Sequence, residues 1–276
     1  MTGIPPNQMA SLRLYFDCAS VSYQQAIEPA FGPLAEGLVR YAHLHPNESV
    51  IDLGTGSGLV ARCALQHGSE VIALDLSLAM LKVARQQGLT RLCQADMHHL
   101  PFRSDSFDVV LASFAFNSTD PALSLREVWR ILRPGGRLVM QEWGTPDPLS
   151  ELVTDTLAEY TPEDVPPTLA AMRRDIYTSL PWDELKDSED LRLALRRAGF
   201  SRIKVNVVSP SVKLQSTEVF LRYKLAWPIR RAELEAMPED IRQLCLNDLR
   251  ENIAAHCNSA GHLIWRPNIV RLRAFK

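Results

Sequence analysis

The sequence predicts an open, doubly wound α/β sheet carrying a mainly helical cap, and three observations predict it. Val50 to Leu53 runs into Gly54-Thr55-Gly56-Ser57-Gly58 and then into the helix-forming Leu59 to Leu65, the order of a buried strand, a tight glycine turn and a helix start. From there to Trp143, apolar runs of strand length alternate with amphipathic helical stretches, as in a parallel sheet with helices on both faces. After Trp143 the alternation breaks into proline-dense, helix-rich sequence, which reads as the cap.

The elements follow in order. Ser20 to Leu44 reads as one or two amphipathic helices, with Ile27, Phe31, Leu34, Leu38 and Tyr41 at helical spacing and Pro46-Asn47 as the stop. Residues 1–46 are assigned to an N-terminal helical lid and 47–144 to the first block of the core. The core strands are Ser49 to Leu53, Glu70 to Leu74 ending in Asp75, Leu89 to Ala95 ending in Asp96, Phe107 to Phe114, and Arg137 to Trp143. The helices between them carry start and stop signals: Gly68 after the first, Ser77 before and Gly88 after the second, Pro121 in the first turn of the third. Residues 145–187 read as a cap insert and 188–210 as core continued, with a helix ended by Gly199 and a strand from Arg202 to Val208. Residues 211–260 read as a helical cap interrupted at Pro228 and Pro238, and 261–276 as the last core strand.

Composition narrows the function classes. The chain has 276 residues, 46% of them apolar, enough for a sizeable core. A net charge of −2 exerts no general pull on nucleic acid. The pairs Arg173-Arg174, Arg196-Arg197 and Arg230-Arg231 are short, balanced by nearby acids, and read as solvated helix faces. No stretch reaches the roughly 20 apolar residues of a membrane span. The N-terminal Met1 to Pro6 lacks a basic region and an apolar core, so it does not read as a signal peptide. The five cysteines form no C-x-x-C pair and read as small hydrophobes in a reducing compartment. A cytoplasmic protein, monomeric or homodimeric, is the expectation, with no metal site, since no H-E-x-x-H motif or carboxylate cluster is present.

The glycine turn then selects a ligand. A dinucleotide fingerprint needs G-x-G-x-x-G, which requires glycine at position 59, where this chain has Leu59. The spacing is G-x-G-x-G, and Asp52 stands two residues before it, where a carboxylate repels a diphosphate and attracts an ammonium. Asp75, ending the second strand, stands where an acid meets ribose hydroxyls. A ligand with ribose, adenine and an ammonium group but no phosphate fits this pattern: S-adenosylmethionine.

With these residues in view, the chain resembles the class I S-adenosylmethionine-dependent methyltransferases, in the small-molecule branch that includes the ubiquinone/menaquinone C-methyltransferases. The resemblance covers Asn47 to Met140 and rests on Val50 to Gly58, Val71 to Ser77, Ala95 to Phe102, Ser106 to Val110, and Glu127 to Leu138, five pieces in family order. The N-terminal Tyr15-Phe16-Asp17 and Tyr23 match an early family pattern more loosely. The resemblance implies a Rossmann-like sheet of seven strands, mostly parallel with an antiparallel last strand. It implies that Asp52, Gly54 and Gly56 line the methionine moiety, that Asp75 binds the ribose, and that Leu76 and Met80 lie near the adenine. Asp96 then accepts from the adenine amino group, Met97 stacks beside the ring, Ser113 offers backbone to the cofactor amine, and Tyr23 closes over it. For Tyr23, plain helix packing is the competing role.

A sulfonium already activates its methyl group, so the remaining work is aligning an acceptor atom and excluding water. A base is optional, needed more for a phenol or alcohol than for an amine or enolate, and the catalytic candidates stand at the carboxyl ends of the central strands: Asn117 past the fourth, Glu142 with Trp143 closing the fifth, and His98, with His99, after Met97. For the histidines a solvated loop, and for Glu142 a structural acid, are the competing roles. The cap should define a small organic acceptor methylated on O, N or C. Its bulky residues are Tyr160, Met172, Tyr177 and Trp182 in the insert, and Phe220, Tyr223, Trp227 and Trp265 beyond it. Three alternatives stand beside methyl transfer: a cofactor-dependent reaction such as cyclisation, a non-catalytic cofactor-binding protein, and a dinucleotide oxidoreductase, the last disfavoured by Leu59 and Asp52.

Overall fold

The structure, a computed structural model, describes residues 6–177, 185 and 187–276, and their side chains except at 6–8, 21–24 and 175–177. Seven strands form the central sheet: β1 (Ser49–Leu53), β2 (Glu70–Asp75), β3 (Leu92–Gln94), β4 (Phe107–Ser113), β5 (Leu132–Trp143), β6 (Ser201–Val208) and β9 (Ile269–Phe275). Their order is β3-β2-β1-β4-β5-β9-β6. All pairs from β3 to β5 are parallel, and β9 runs antiparallel to both β5 and β6. The predicted sheet, with its antiparallel last strand, is the sheet observed. The strand order reverses between β1 and β4, so the carboxyl ends of these two strands open a crevice there.

The apolar runs explain why these strands lie at the centre. Val50, Val109 and Leu111 bury one face of the sheet against α1 (Pro6–Ala42) and α2 (Leu59–Leu65). Ile51, Leu53 and Val110 bury the other against α4 (Pro121–Ile131) and α7 (Ser188–Arg197). A Leu or Val withdrawn from water this fully contributes about 1.5–3 kcal/mol. Side-chain caps fix where the helices begin: the Ser77 hydroxyl accepts from the Met80 amide at the start of α3 (Leu78–Gln86), and Asp120 accepts from Ala122 and Leu123 at the start of α4.

A third core holds the cap together. It joins the middle of α1 to α5 (Pro148–Tyr160), α8 (Thr217–Leu225) and α10 (Glu239–Ala254), with α6 (Pro167–Tyr177) and α9 (Pro228–Ala236) alongside. The breaks read at Pro228 and Pro238 are the first residue of α9 and the cap of α10.

The following assignments depart from expectation. The first helix begins at Pro6, not Ser20, and runs unbroken for 37 residues through Pro29 and Pro33. Leu263–Trp265 was expected in the last core strand but forms β8, which pairs with β7 (Val212–Leu214) in a separate two-stranded sheet. Arg266-Pro267 separates it from β9, because a proline cannot donate to a sheet ladder. β7 itself was read as part of the helical cap. Of the cysteines, Cys245 is buried but Cys18 is exposed. Among the described residues no helix is long and apolar enough to cross a membrane, and no cluster of His, Cys, Asp or Glu is arranged to hold a metal ion.

Candidate active site

A cavity of about 600 Å³ opens at the carboxyl ends of β1, β2 and β4. The glycine turn forms its floor. Gly54 and Gly56 have φ of +65° and +55°, the left-handed region that glycine enters without steric penalty. A Cβ on Gly54 would lie 2.4 Å from the Ala115 Cβ, so the close approach of turn and β4 loop itself requires glycine. The turn is anchored on both sides. The Thr55 amide donates to the Leu74 carbonyl of β2 at 2.9 Å, and the Gly56 amide to Asp75 Oδ2 at 2.8 Å.

Asp75 lines the cavity, its other oxygen accepting from the Ser77 amide at 2.8 Å. Burial pushes its carboxyl up to about 6, against these hydrogen bonds. Leu76, Met80 and Met97 present apolar surface beside it. Asp96 also lines the cavity and holds His98: its Oδ1 accepts from the His98 amide at 2.9 Å and from Nδ1 at 2.8 Å. Burial works to raise the Asp96 pKa, and the His98 contacts outweigh it and hold the carboxyl below its ordinary range.

The remaining predicted site residues divide. Ser113 and Asn117 reach the cavity wall. His98 reaches it too, but both ring nitrogens are engaged. Nδ1 faces Asp96, and Nε2 accepts from the Asp120 amide at 2.9 Å, which assigns the proton to Nδ1. His98 therefore ties the Asp96 loop to the start of α4 and has no nitrogen left for an acceptor proton. Asp52 lies beneath the turn instead of in the cavity. It lines a neighbouring space of about 30 Å³ that adjoins the cavity across Phe31, Gly54 and Ser113. Its Oδ2 accepts from the Thr55 hydroxyl at 2.6 Å and the Ala61 amide at 3.1 Å, and burial pushes it up to about 7.

Glu142 also departs from expectation. Its Oε1 accepts from the Phe116 amide at 2.7 Å, so the carboxyl supports the loop after β4 from behind and does not line the cavity. Its Oε2 has no hydrogen-bond partner among the described residues. Burial pushes this carboxyl up to about 8, against hydrogen bonds from the amides of Phe116, Ala115 and Asn117. The Tyr23 side chain lies outside the described residues, as do Trp182 and the side chain of Tyr177.

The opposite wall is aromatic. Tyr15 and Phe16 come from the early turns of α1, Phe31 from its middle, Phe114 and Trp143 from the ends of β4 and β5, and Trp227 from the start of α9. Phe114 stacks on Trp143 with centroids 4.0 Å apart and planes 18° apart, and Tyr15 lies parallel to Trp227 at 6.3 Å. Phe114 has φ of +56°, a strained conformation for a bulky residue, held by a hydrogen bond of 2.8 Å that its backbone amide donates to the Gln141 carbonyl. Of the cap residues picked out as bulky, only Trp227 reaches this wall among the described residues. Phe220, Tyr223 and Trp265 are buried in the cap core behind it, and Tyr160 bonds to Asp248. The signal for the wall was the Tyr15-Phe16-Asp17 match, with Asp17 accepting from the Ser77 hydroxyl beside the cavity. Phe31 and Phe114 gave no local signal.

Comparison with known proteins fits this geometry. The methyltransferase domain family matches residues 51–140. The chain is 31% identical over 163 residues to the demethylmenaquinone methyltransferase of Corynebacterium kroppenstedtii, covering 57% of this chain and 70% of that protein. It is 39% identical over 119 residues to the ubiquinone/menaquinone biosynthesis C-methyltransferase UbiE of Proteus mirabilis, covering 38% of this chain and 47% of that one. In fold it is similar to a phosphoethanolamine N-methyltransferase of Haemonchus contortus, with a TM-score of 0.59 at 17% identity over 97% of this chain and 59% of that one. With the motifs, the sheet order and these relatives together, the chain belongs to the class I S-adenosylmethionine-dependent methyltransferases.

Proposed function

We propose that this enzyme transfers a methyl group to a nucleophilic atom of a small, planar, largely apolar organic acceptor. The observation that carries the proposal is the division of one cavity into two chemically different halves. The half at the ends of β1, β2 and β3 offers left-handed glycines, two carboxylates and methionine side chains. The residues present fit the cofactor. Asp75 has acceptor capacity beyond its two amide bonds for ribose hydroxyls. Asp96 and Met97 suit an adenine, and Asp52, buried with only hydroxyl and amide donors, suits a nearby ammonium. S-adenosylmethionine, when bound, supplies a methyl on a sulfonium that needs no further activation.

The chain's own residues then orient and exclude. The Phe114–Trp143 stack and Phe31 give a flat acceptor an apolar surface and keep water out. Asn117 offers a polar side chain at the junction of the two halves. With His98 engaged at both nitrogens and Glu142 behind the loop, an acceptor that is intrinsically nucleophilic suits this cavity better than one needing strong base help. The names of the relatives make a quinone-type ring methylated at carbon the first acceptor to try. Incubation with the radiolabelled methyl donor and fractionated apolar metabolites tests the proposal. Label should enter planar apolar compounds, and label confined to protein, RNA or small aliphatic amines contradicts it.

A further inference from the structure

Among the described residues the aromatic half of the cavity has one cation, Arg230, on its wall. The pairs Arg173-Arg174 and Arg230-Arg231 have the sequence character of solvated helix faces, yet Arg173 and Arg230 converge on one carboxylate. Glu233, 4% exposed, accepts from Arg173 at 3.0 Å on Oε1 and from Arg230 at 2.9 Å on Oε2. Within this cluster two guanidiniums against one carboxylate leave one positive charge over, the neighbouring Lys224 and Asp147 are of opposite charge, and Arg230 is the member that lines the cavity. Arg230 also donates to the Thr154 hydroxyl at 3.1 Å. Glu233 and Thr154 take two of the five N–H donors that a guanidinium carries. No carboxylate lines this half among the described residues, since Asp75 and Asp96 both stand on the cofactor side.

We infer that Arg230 recognises a carboxylate on the acceptor, so that among the planar acceptors proposed above an aromatic acid is preferred to its uncharged counterpart. The inference rests on the reading of the aromatic half as the acceptor site. An aromatic wall by itself favours flat apolar molecules or cations. The surplus positive charge disfavours the cations and adds a requirement for an anion. A carboxyl is ionised at neutral pH whereas a simple phenol is not, so the carboxylate is the group this charge selects. Planar guanidinium-to-carboxylate pairing also fixes the ring's orientation toward the cofactor side.

The test is calorimetric titration of the protein saturated with S-adenosylhomocysteine, using 4-hydroxycinnamate and its methyl ester as probes. The acid should bind about ten-fold tighter than the ester or better, as expected for a charge-assisted hydrogen bond. Arg230→Gln should bring the two within about two-fold of each other, and Glu233→Gln should widen the preference, because it removes the charge that offsets Arg230. These opposite signs separate ligand recognition from a structural clamp, which both substitutions would loosen alike. If Arg230→Gln loses its cooperative melt, the wild-type preference and the Glu233→Gln change decide. Equal or tighter binding of the ester, binding of neither probe at millimolar concentration, or an unchanged preference in a folded Arg230→Gln protein overturns the inference. Binding of S-adenosylhomocysteine is read in the same samples. Its loss overturns the methyltransferase reading of the cavity, whereas its retention with no acid preference overturns the acceptor inference alone.

Discussion

The two halves of the cavity, the proposed cofactor half and the proposed acceptor half, are built by opposite routes. The cofactor half comes from short, contiguous pieces, each a strand end and the turn after it: Gly54 to Gly58 after β1, Asp75 to Ser77 after β2, Asp96 to His98 after β3. The acceptor half is assembled from α1, the ends of β4 and β5, and α9, residues separated by more than half the chain. Backbone conformation and local capping determine the first. Tertiary packing of the cap onto α1 determines the second. Substitutions in the two halves should therefore separate cofactor binding from acceptor turnover.

The largest expected effect is at the turn. Gly54→Val adds a side chain where a Cβ alone meets Ala115 at 2.4 Å, at a φ of +65°. Strain of about 3 kcal/mol or more should weaken S-adenosylhomocysteine binding roughly 100-fold, as read by calorimetry. Binding within a few-fold of wild type would show that the turn does not shape the cofactor site. Next comes Trp143→Ala, which removes one face of the aromatic stack. It should lower kcat/KM for the acceptor about ten-fold while leaving cofactor affinity nearly unchanged. Equal losses in both would merge the halves into one unit.

A smaller effect concerns pH. The carboxyls of Glu142, Asp52 and Asp75 are pushed up to about 8, 7 and 6 by burial. An acid whose pKa rises on folding adds stability that is full below its unfolded value, near 4, and is lost as pH climbs through the folded value. Tm should therefore fall from pH 5 to pH 9, by about 2–4 °C for each kcal/mol lost. Glu142→Gln should flatten the upper part of that fall, near pH 8, in a calorimetric melt series. A Tm that rises over this range, or a variant with the same slope, contradicts the assignment of Glu142 as a buried acid behind the β4 loop.

The same contrast explains what was legible in the sequence. The sheet was readable because Val50 to Leu53 and Phe107 to Ser113 are apolar but for Asp52, Asp108 and Ser113, and are followed by turns. Gly54, Gly56, Asp75 and Asp96 were readable because turn geometry and strand-end position constrain residue type locally. The sequence did not reveal that Asp52 and Glu142 point away from the cavity, because adjacent residues on a strand face opposite sides and the register was not yet known. Nor did it reveal the partners of His98, since one of them, Asp120, lies 22 residues on. The first turns of α1 and the Arg173–Glu233–Arg230 cluster were missed for a related reason. Their apolar and charged neighbours lie on distant helices, which no local periodicity reports.

On the proposed function, the acid-and-glycine half holds the adenosyl cofactor through Asp75. Titration of S-adenosylhomocysteine into wild-type protein and into Asp75→Ala tests it most directly. Binding to wild type should be micromolar, with affinity about ten- to a hundred-fold weaker in the variant, from unpaired ribose hydroxyls and a turn released at the Gly56 amide. Equal affinities in the two proteins would contradict it.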